Sequence, residues 1–394
     1  MRVVAVALTL AVVLSGCGET VRTIPGVART ASATAAASVA LASPSSSTAP
    51  TATASATASP PASPTPSPTP GFDPCPGNPR CAQILSQINL LNPYRMDADL
   101  AALTSFVSRD PRHPGHAKAQ AYIKEQLGAV AYGGWKVESQ RTVYQGIALE
   151  NIFATLDPAP GTISPSGAPQ SPPPPVGSTG WVLVSAHYDS VANRTPGWRP
   201  AIDPAPGADD NATGTAALLE FARTLALWRN AGYLRSRIVL AFFDGEELFF
   251  KGSGAYMATL QKPYPYKAAI NLDMVGFNPI ADRLDLLWYT GASAGLRDKV
   301  IKVNDTYRIG VKPLNAQFAA DGSTIMDAAP FGIAGIPSIA ICQRYGENDA
   351  TFPGNYTFHT VNDTPDKITN RGLWLKAAKL TLAAALELTD EPAQ

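Results

Sequence analysis

This sequence predicts an α/β fold: a mostly parallel, mixed sheet with helices on its faces. Two observations predict it. Short continuous apolar runs alternate along the chain with segments whose apolar residues recur at helical spacing. Three of those runs lead straight into His, Asp or Glu, as strands do when their carboxyl ends open onto a ligand site.

The order starts with a leader. Arg2 precedes an apolar run at 3–14 that closes in Leu14-Ser15-Gly16-Cys17, and the run is short for a bilayer span. These closing residues resemble the bacterial lipobox. Residues 1–16 are therefore expected to be a lipoprotein signal peptide, with lipid carried by Cys17 and the protein tied to the outer side of the cytoplasmic membrane. Residues 17–71 are expected to be a disordered stalk, because Ala, Ser, Thr and Pro dominate and offer too little bulky apolar surface to offset the entropy of ordering. One globular domain, 72–394, follows. At its start Cys75 and Cys81 lie close enough in sequence for a small disulfide loop in an oxidising compartment.

Within the domain, residues 97–107 and 115–127 have helical spacing, and 149–156 is strand-like. A surface loop at 157–179 contains four consecutive prolines, Pro172 to Pro175. Buried strands are expected at 181–186, 238–243 and 268–272, with helices at 213–228 and 254–261 between them. Helical spacing returns at 294–304 and 373–388, with a strand at 336–341 in which Cys342 closes the apolar run as a buried thiol.

The acidic residues and histidines gather at strand ends. The first buried strand runs into His187-Tyr188-Asp189-Ser190, the second into Asp244-Gly245-Glu246-Glu247, and the third into Asp273. Asp209 and Asp210 precede the helix at 213, and His359 lies in a late loop before Asp363. Two histidines with several carboxylates suit a divalent metal such as zinc, and a shared aspartate can hold two ions. There is no His-Glu-x-x-His run, no Gly-x-Ser-x-Gly elbow and no phosphate-binding Gly-x-x-x-x-Gly-Lys loop. Basic and acidic residues both number 31, so no basic field for nucleic acid is evident. His113 and His116, in a Pro- and Gly-rich turn, are expected at the surface or as caps, and Trp198 is the tryptophan placed best to line a pocket.

The stretches Ala186-His187-Tyr188-Asp189-Ser190, Pro206-Gly207-Ala208-Asp209-Asp210-Asn211, Phe243-Asp244-Gly245-Glu246-Glu247, Asn271-Leu272-Asp273-Met274, Gly335-Ile336-Pro337-Ser338 and Phe358-His359-Thr360 together resemble the zinc-dependent M28 aminopeptidase family over roughly 108–388. The resemblance implies a zinc-exopeptidase-like three-layer sandwich and hydrolysis of N-terminal residues from peptides. It implies two zinc ions, one held by His187 and Asp273, the other by Glu247 and His359, with Asp210 between them. It gives Asp189 the task of orienting His187, and Glu246 that of general base. One departure stands out: Ala328 occupies the place of a histidine that the family often has, which bears on substrate contacts and not on the ligands. Glutaminyl cyclases of the same fold, which use one zinc, are the alternative reading. A binding ectodomain without catalysis is a third, opposed by the presence of all five ligand positions and Glu246.

Overall fold

A computed structural model describes residues 74–160, 180–312, 314–318, 326–343 and 354–391. The expected signal peptide, the stalk and Cys17 lie outside the described residues, as does most of the proline-rich loop. All described residues belong to one compact unit, Thr69–Gln394.

Three helices open the domain: α1 (Pro79–Ile88), α2 (Pro93–Ser105) and α3 (Pro114–Ala129). Each is announced by the same local device. Asn78, Asn92 and His113 accept backbone N–H groups of the first turn, and each is followed by a proline whose missing N–H costs nothing there. His113 is thus the cap that its turn suggested. Ahead of α1, Cys75 and Cys81 are joined in a disulfide.

Then come β1 (Trp135–Tyr144), β2 (Ile147–Leu156), β3 (Trp181–His187), α4 (Thr213–Asn230), β4 (Ile238–Phe243), α5 (Lys251–Thr259) and β5 (Tyr266–Asp273). The chain closes with β6 (Leu284–Trp288), α6 (Ala294–Thr306), β7 (Leu314–Phe318), α7 (Ala329–Ile333), β8 (Ser338–Cys342) and α8 (Arg371–Asp390). Among the described residues the sheet has the order β1-β2-β4-β3-β5-β8-β6-β7. Its centre, β4-β3-β5-β8, is parallel; β1, β2 and β6 join antiparallel, and β7 pairs parallel with β6.

The central strands are buried on both faces, which is why they read as continuous apolar runs. Val182, Val184, Ile238, Leu240, Phe242, Ile270 and Leu272 meet α4 and α8 in the main core. The alternate positions Leu183, Val239, Ala241, Phe243 and Ala269 pack on the opposite face against Tyr256 and Met257 of α5 and Phe331 of α7. Helices therefore cover both sides, and the three-layer sandwich expected from the sequence is the observed fold.

Candidate active site

The parallel centre of the sheet sets the site. Register pairs His187 with Phe243 and Asp273 with Cys342, so β3, β4 and β5 end at one rim. His187 closes β3 and Asp273 closes β5, while Glu246 and Glu247 follow β4 by a tight turn. Gly245 makes that turn with φ +67°, and a Cβ there would meet Leu149 Cδ1 at 2.8 Å. Asp210 comes from the short helical turn that leads into α4, across a cis Asp210–Asn211 peptide. His359 arrives on the late loop, as Arg194 N–H donates to its carbonyl at 2.9 Å.

These five side chains converge. His187 Nε2 lies 3.2 Å from Asp210 Oδ1 and 3.4 Å from Asp273 Oδ1. His359 Nε2 lies 3.0 Å from Asp210 Oδ2 and 2.9 Å from Glu247 Oε2. Asp210 thus turns one oxygen to each histidine. Ligand atoms of His187, Asp210 and Glu247 all lie within 4.8 Å of one another, and so do those of His187, Glu246 and Asp273.

The donor set fits divalent cations on physical grounds. Four acidic groups, Asp210, Glu246, Glu247 and Asp273, face two imidazoles, leaving a deficit of positive charge. Burial lifts Glu247 to about 7 and raises Glu246 and Asp273 as well, Glu246 far above the usual carboxylate range. Burial also pushes on Asp210, but hydrogen bonds from His187 and His359 outweigh it and hold that carboxyl low. Burial opposes charge on the two histidines, yet the surrounding carboxylates win and raise both. Among the described residues, Glu247 Oε1 and Asp273 Oδ1 are buried without a hydrogen-bond partner, the state in which a carboxylate oxygen suits a metal ion.

Behind these groups stands a polar scaffold. Asp189 Oδ1 lies 3.4 Å from His187 Nδ1, and the same carboxylate accepts the backbone N–H groups of Glu246 and Glu247, each at 3.2 Å. It therefore ties the β3 and β4 loops together as well as orienting the imidazole. Asp209 does not face the five donors: it accepts Gly276 N–H at 2.9 Å, Asn355 Nδ2 at 2.6 Å and Gln343 Nε2. The backbone N–H groups of Asp209 and Asp210 donate to Asp363 at 3.0–3.2 Å, fixing the turn that aims Asp210.

Sequence reasoning missed two supports. Arg109 is fully buried and donates to the carbonyls of Tyr188, Pro206 and Gly207 at 2.6, 2.5 and 2.8 Å, which clamps the His187 loop to the Asp210 loop. Burial lowers its guanidinium to about 10. An arginine in a loop carries no periodic signal, so nothing local marked it. His116 corrects an expectation outright. It is buried, its Nε2 lies 2.9 Å from Asp244 Oδ1, and its ring stacks on Tyr188. Asp244 Oδ2 also accepts Tyr188 Oη at 2.8 Å and Glu150 N–H at 2.7 Å, so this network fixes the start of the Glu246 loop. The turn composition around His116 suggested exposure; the partner 128 residues away reverses it.

Replacing Asp189 by Asn is expected to weaken metal affinity by about 10–100-fold, the range for losing a carboxylate that orients a ligand histidine. Competition titration with a chromophoric chelator measures it, and unchanged affinity would remove Asp189 from the site.

A cavity of about 220 Å³ opens over Asp210, Glu246, Glu247, Asp273 and His359. Its apolar walls are Phe249, Phe250, Met274, Met326 and Phe358, with Asn193 on the polar side. Trp198 is not among them; its indole donates to the Pro204 carbonyl at 3.1 Å. Ala328 is buried with Met326, Ala340 and Cys342 in a small apolar cluster, so the place of the absent histidine is filled by packing and the neighbouring Met326 reaches the cavity.

Known proteins share this fold. Leucine aminopeptidase 1 of Trichophyton rubrum is 29% identical over 202 residues, 49% of this chain and 47% of its own, so the chain spans about half the length of that relative. The LapA aminopeptidase of Legionella pneumophila shares the fold at TM-score 0.61 and 18% identity, covering 79% of this chain and 75% of its own. The glutaminyl cyclase of Porphyromonas gingivalis does so at TM-score 0.57 and 21% identity, covering 76% and 99%. The model of peptidase family M28 matches residues 171–384, a stretch that contains all five converging side chains and every residue lining the cavity. The chain belongs to peptidase family M28, as a metal-dependent hydrolase.

Proposed function

We propose that the protein is a zinc aminopeptidase with two ions per chain. One observation carries the stoichiometry: Asp210 gives one oxygen to the His187–Asp273 group and the other to the His359–Glu247 group. In this reading His187 and Asp273 hold one ion, Glu247 and His359 the other, and Asp210 is shared. Bound zinc would polarise the scissile carbonyl and ease deprotonation of the attacking water. Glu246, whose carboxylate lies within 4.8 Å of ligand atoms of His187 and Asp273, takes the proton from that water and passes it to the departing amine. Asp189 keeps His187 in one orientation throughout. The leucine aminopeptidase relatives support N-terminal cleavage of peptides as the reaction.

The test uses purified protein with a panel of aminoacyl reporters and a peptide that begins with Gln, with and without chelator. Reporter hydrolysis that chelation abolishes and zinc restores, with about two zinc per chain, is expected. Ring closure of the Gln peptide with one ion per chain would instead favour the cyclase reading, which the shared fold keeps in view. Neither reaction would leave a binding ectodomain.

The location belongs to the same proposal. The lipobox-like Leu14 to Cys17 supports export and a lipid anchor, and no helix among the described residues is long and apolar enough to cross a membrane. Replacing Cys17 by Ser is expected to move the protein from the membrane fraction to the soluble fraction, because lipid supplies the attachment. Retention in the membrane after that change would rule out the anchor.

A further inference from the structure

A cation stands at the edge of the cavity without an acidic partner. Arg194 is exposed, and among the described residues no carboxylate pairs with its guanidinium. Further along the same loop, Arg199 is paired with Asp203 at 2.7 Å. Arg194 lies instead over Phe358, its guanidinium carbon 4.4 Å from the ring centre, with a long contact of 3.5 Å from Nη1 to the Phe358 carbonyl. Stacking occupies the face of the guanidinium and leaves N–H donors at its edge, the geometry that takes a carboxylate. The backbone keeps the cation in place: Arg194 N–H donates to the His359 carbonyl at 2.9 Å, and Val361 N–H donates to Thr195 Oγ1 at 3.0 Å. The Arg194 loop is thereby stitched to the loop that carries His359. Asn193 and Phe358, the residues beside and beneath Arg194, both line the cavity.

We propose that Arg194 is a specificity-determining residue that receives the C-terminal carboxylate of a short peptide, so that the substrates of this site are di- and tripeptides. This rests on the aminopeptidase reading and names the substrate class of that site. Distance supports it. The Phe358 ring lies 4.6 Å from the His359 imidazole and 4.4 Å from the guanidinium carbon of Arg194. The cation is therefore at most roughly 9 Å from a side chain of the metal cluster, a span covered by two or three extended residues at about 3.5 Å each. A peptide whose scissile bond sits over that cluster brings its terminal carboxylate to Arg194 when one or two residues follow the bond. Size agrees, because a cavity of about 220 Å³ is smaller than the ~300–1,000 Å³ typical of pockets for drug-sized ligands. Charge agrees as well. Two divalent ions would balance the carboxylates of Asp210, Glu246, Glu247 and Asp273, so the cluster itself calls for no further cation.

The experiment compares wild type, Arg194→Gln and Arg194→Glu on Leu-Gly-Gly, its C-terminal amide, the amide of Leu-Glu and leucyl p-nitroanilide. Wild type should prefer the free acid to the amide by about five- to tenfold in kcat/KM, mainly through KM, and the preference should shrink in high salt because the pair is exposed. Arg194→Gln should bring the acid-to-amide ratio to about one, and Arg194→Glu should take it below one. Any damage common to both peptides cancels in that ratio. Calorimetric titration of metal-depleted protein gives a readout free of catalysis: the ratio of affinities for Leu-Gly-Gly and its amide should be higher in wild type than in Arg194→Gln. If wild type cleaves the p-nitroanilide but treats acid and amide alike, or if the ratio survives in Arg194→Gln, the carboxylate role is overturned and the aminopeptidase reading stands. A preference for the Leu-Glu amide without one for free acid over amide would assign Arg194 to acidic side chains and overturn the short-peptide proposal. A wild type that cleaves nothing yet binds the acid through Arg194 keeps the carboxylate site and overturns the aminopeptidase reading. A wild type that neither cleaves nor discriminates overturns both.

Discussion

Glu246→Gln protein is expected to lose a factor of at least about 10²–10⁴ in kcat while keeping its zinc, its fold and, to within a few-fold, its KM. The amide preserves the size of the side chain and cannot take a proton from water. The five converging donors are untouched, and the backbone N–H of residue 246 still donates to Asp189. The position of Glu246 makes the test pointed, because its carboxylate lies within 4.8 Å of ligand atoms of His187 and Asp273. Were it a ligand in its own right, substitution would lower zinc content along with rate. Zinc analysis beside steady-state kinetics therefore separates the two roles. A Gln variant with near-full activity would end the assignment of Glu246 as base.

How far these roles were legible in the sequence depends on the range of the interactions involved. The strands β3, β4 and β5 were readable because burial on both faces leaves an uninterrupted apolar run, and the residues that follow such runs had to meet at one rim. β1 was not readable: it lies at the sheet edge, alternates polar and half-buried positions, and carries few large apolar residues. β6, five residues long, lacks the length to declare a period. The helix α1 announced itself only through Asn78 and Pro79, a cap signal that apolar spacing does not contain. At the site the five converging residues were named from motifs. Arg109 and His116 were missed, since their roles depend on partners far along the chain. Asp209 and Asp210 show the limit best. They are adjacent and chemically identical; the family resemblance selects Asp210, and the physical reason lies in the three-dimensional partners, which set the residue held by Gln343 and Asn355 apart from the one held between two histidines.

That separation yields the second large effect. Asp210→Asn is expected to lose most of its zinc from both positions and to fall in activity at least as far as Glu246→Gln. An amide presents one oxygen and one N–H₂ group, so it cannot serve two cations at once, and the nitrogen would point a donor at an ion. The backbone should stay in place, because Asp363 still accepts the N–H groups of residues 209 and 210. Metal analysis gives the first readout and thermal unfolding the second. Zinc at 100 times its dissociation constant stabilises the native wild type by about 2.7 kcal/mol for each ion bound, worth roughly 4 °C per ion in a domain of this size. The Asn variant should show almost none of that shift at the same zinc concentration. Its unfolding temperature without zinc should lie below that of metal-free wild type, because the buried carboxylate that His187 and His359 hold low is gone, so the zinc-induced shift is read against each protein's own metal-free value. If Asp210→Asn protein instead retained two zinc ions and the full zinc-dependent shift, the shared ligand would have to be sought elsewhere among Glu246, Glu247 and Asp273, and the two-ion reading would lose the observation that carries it.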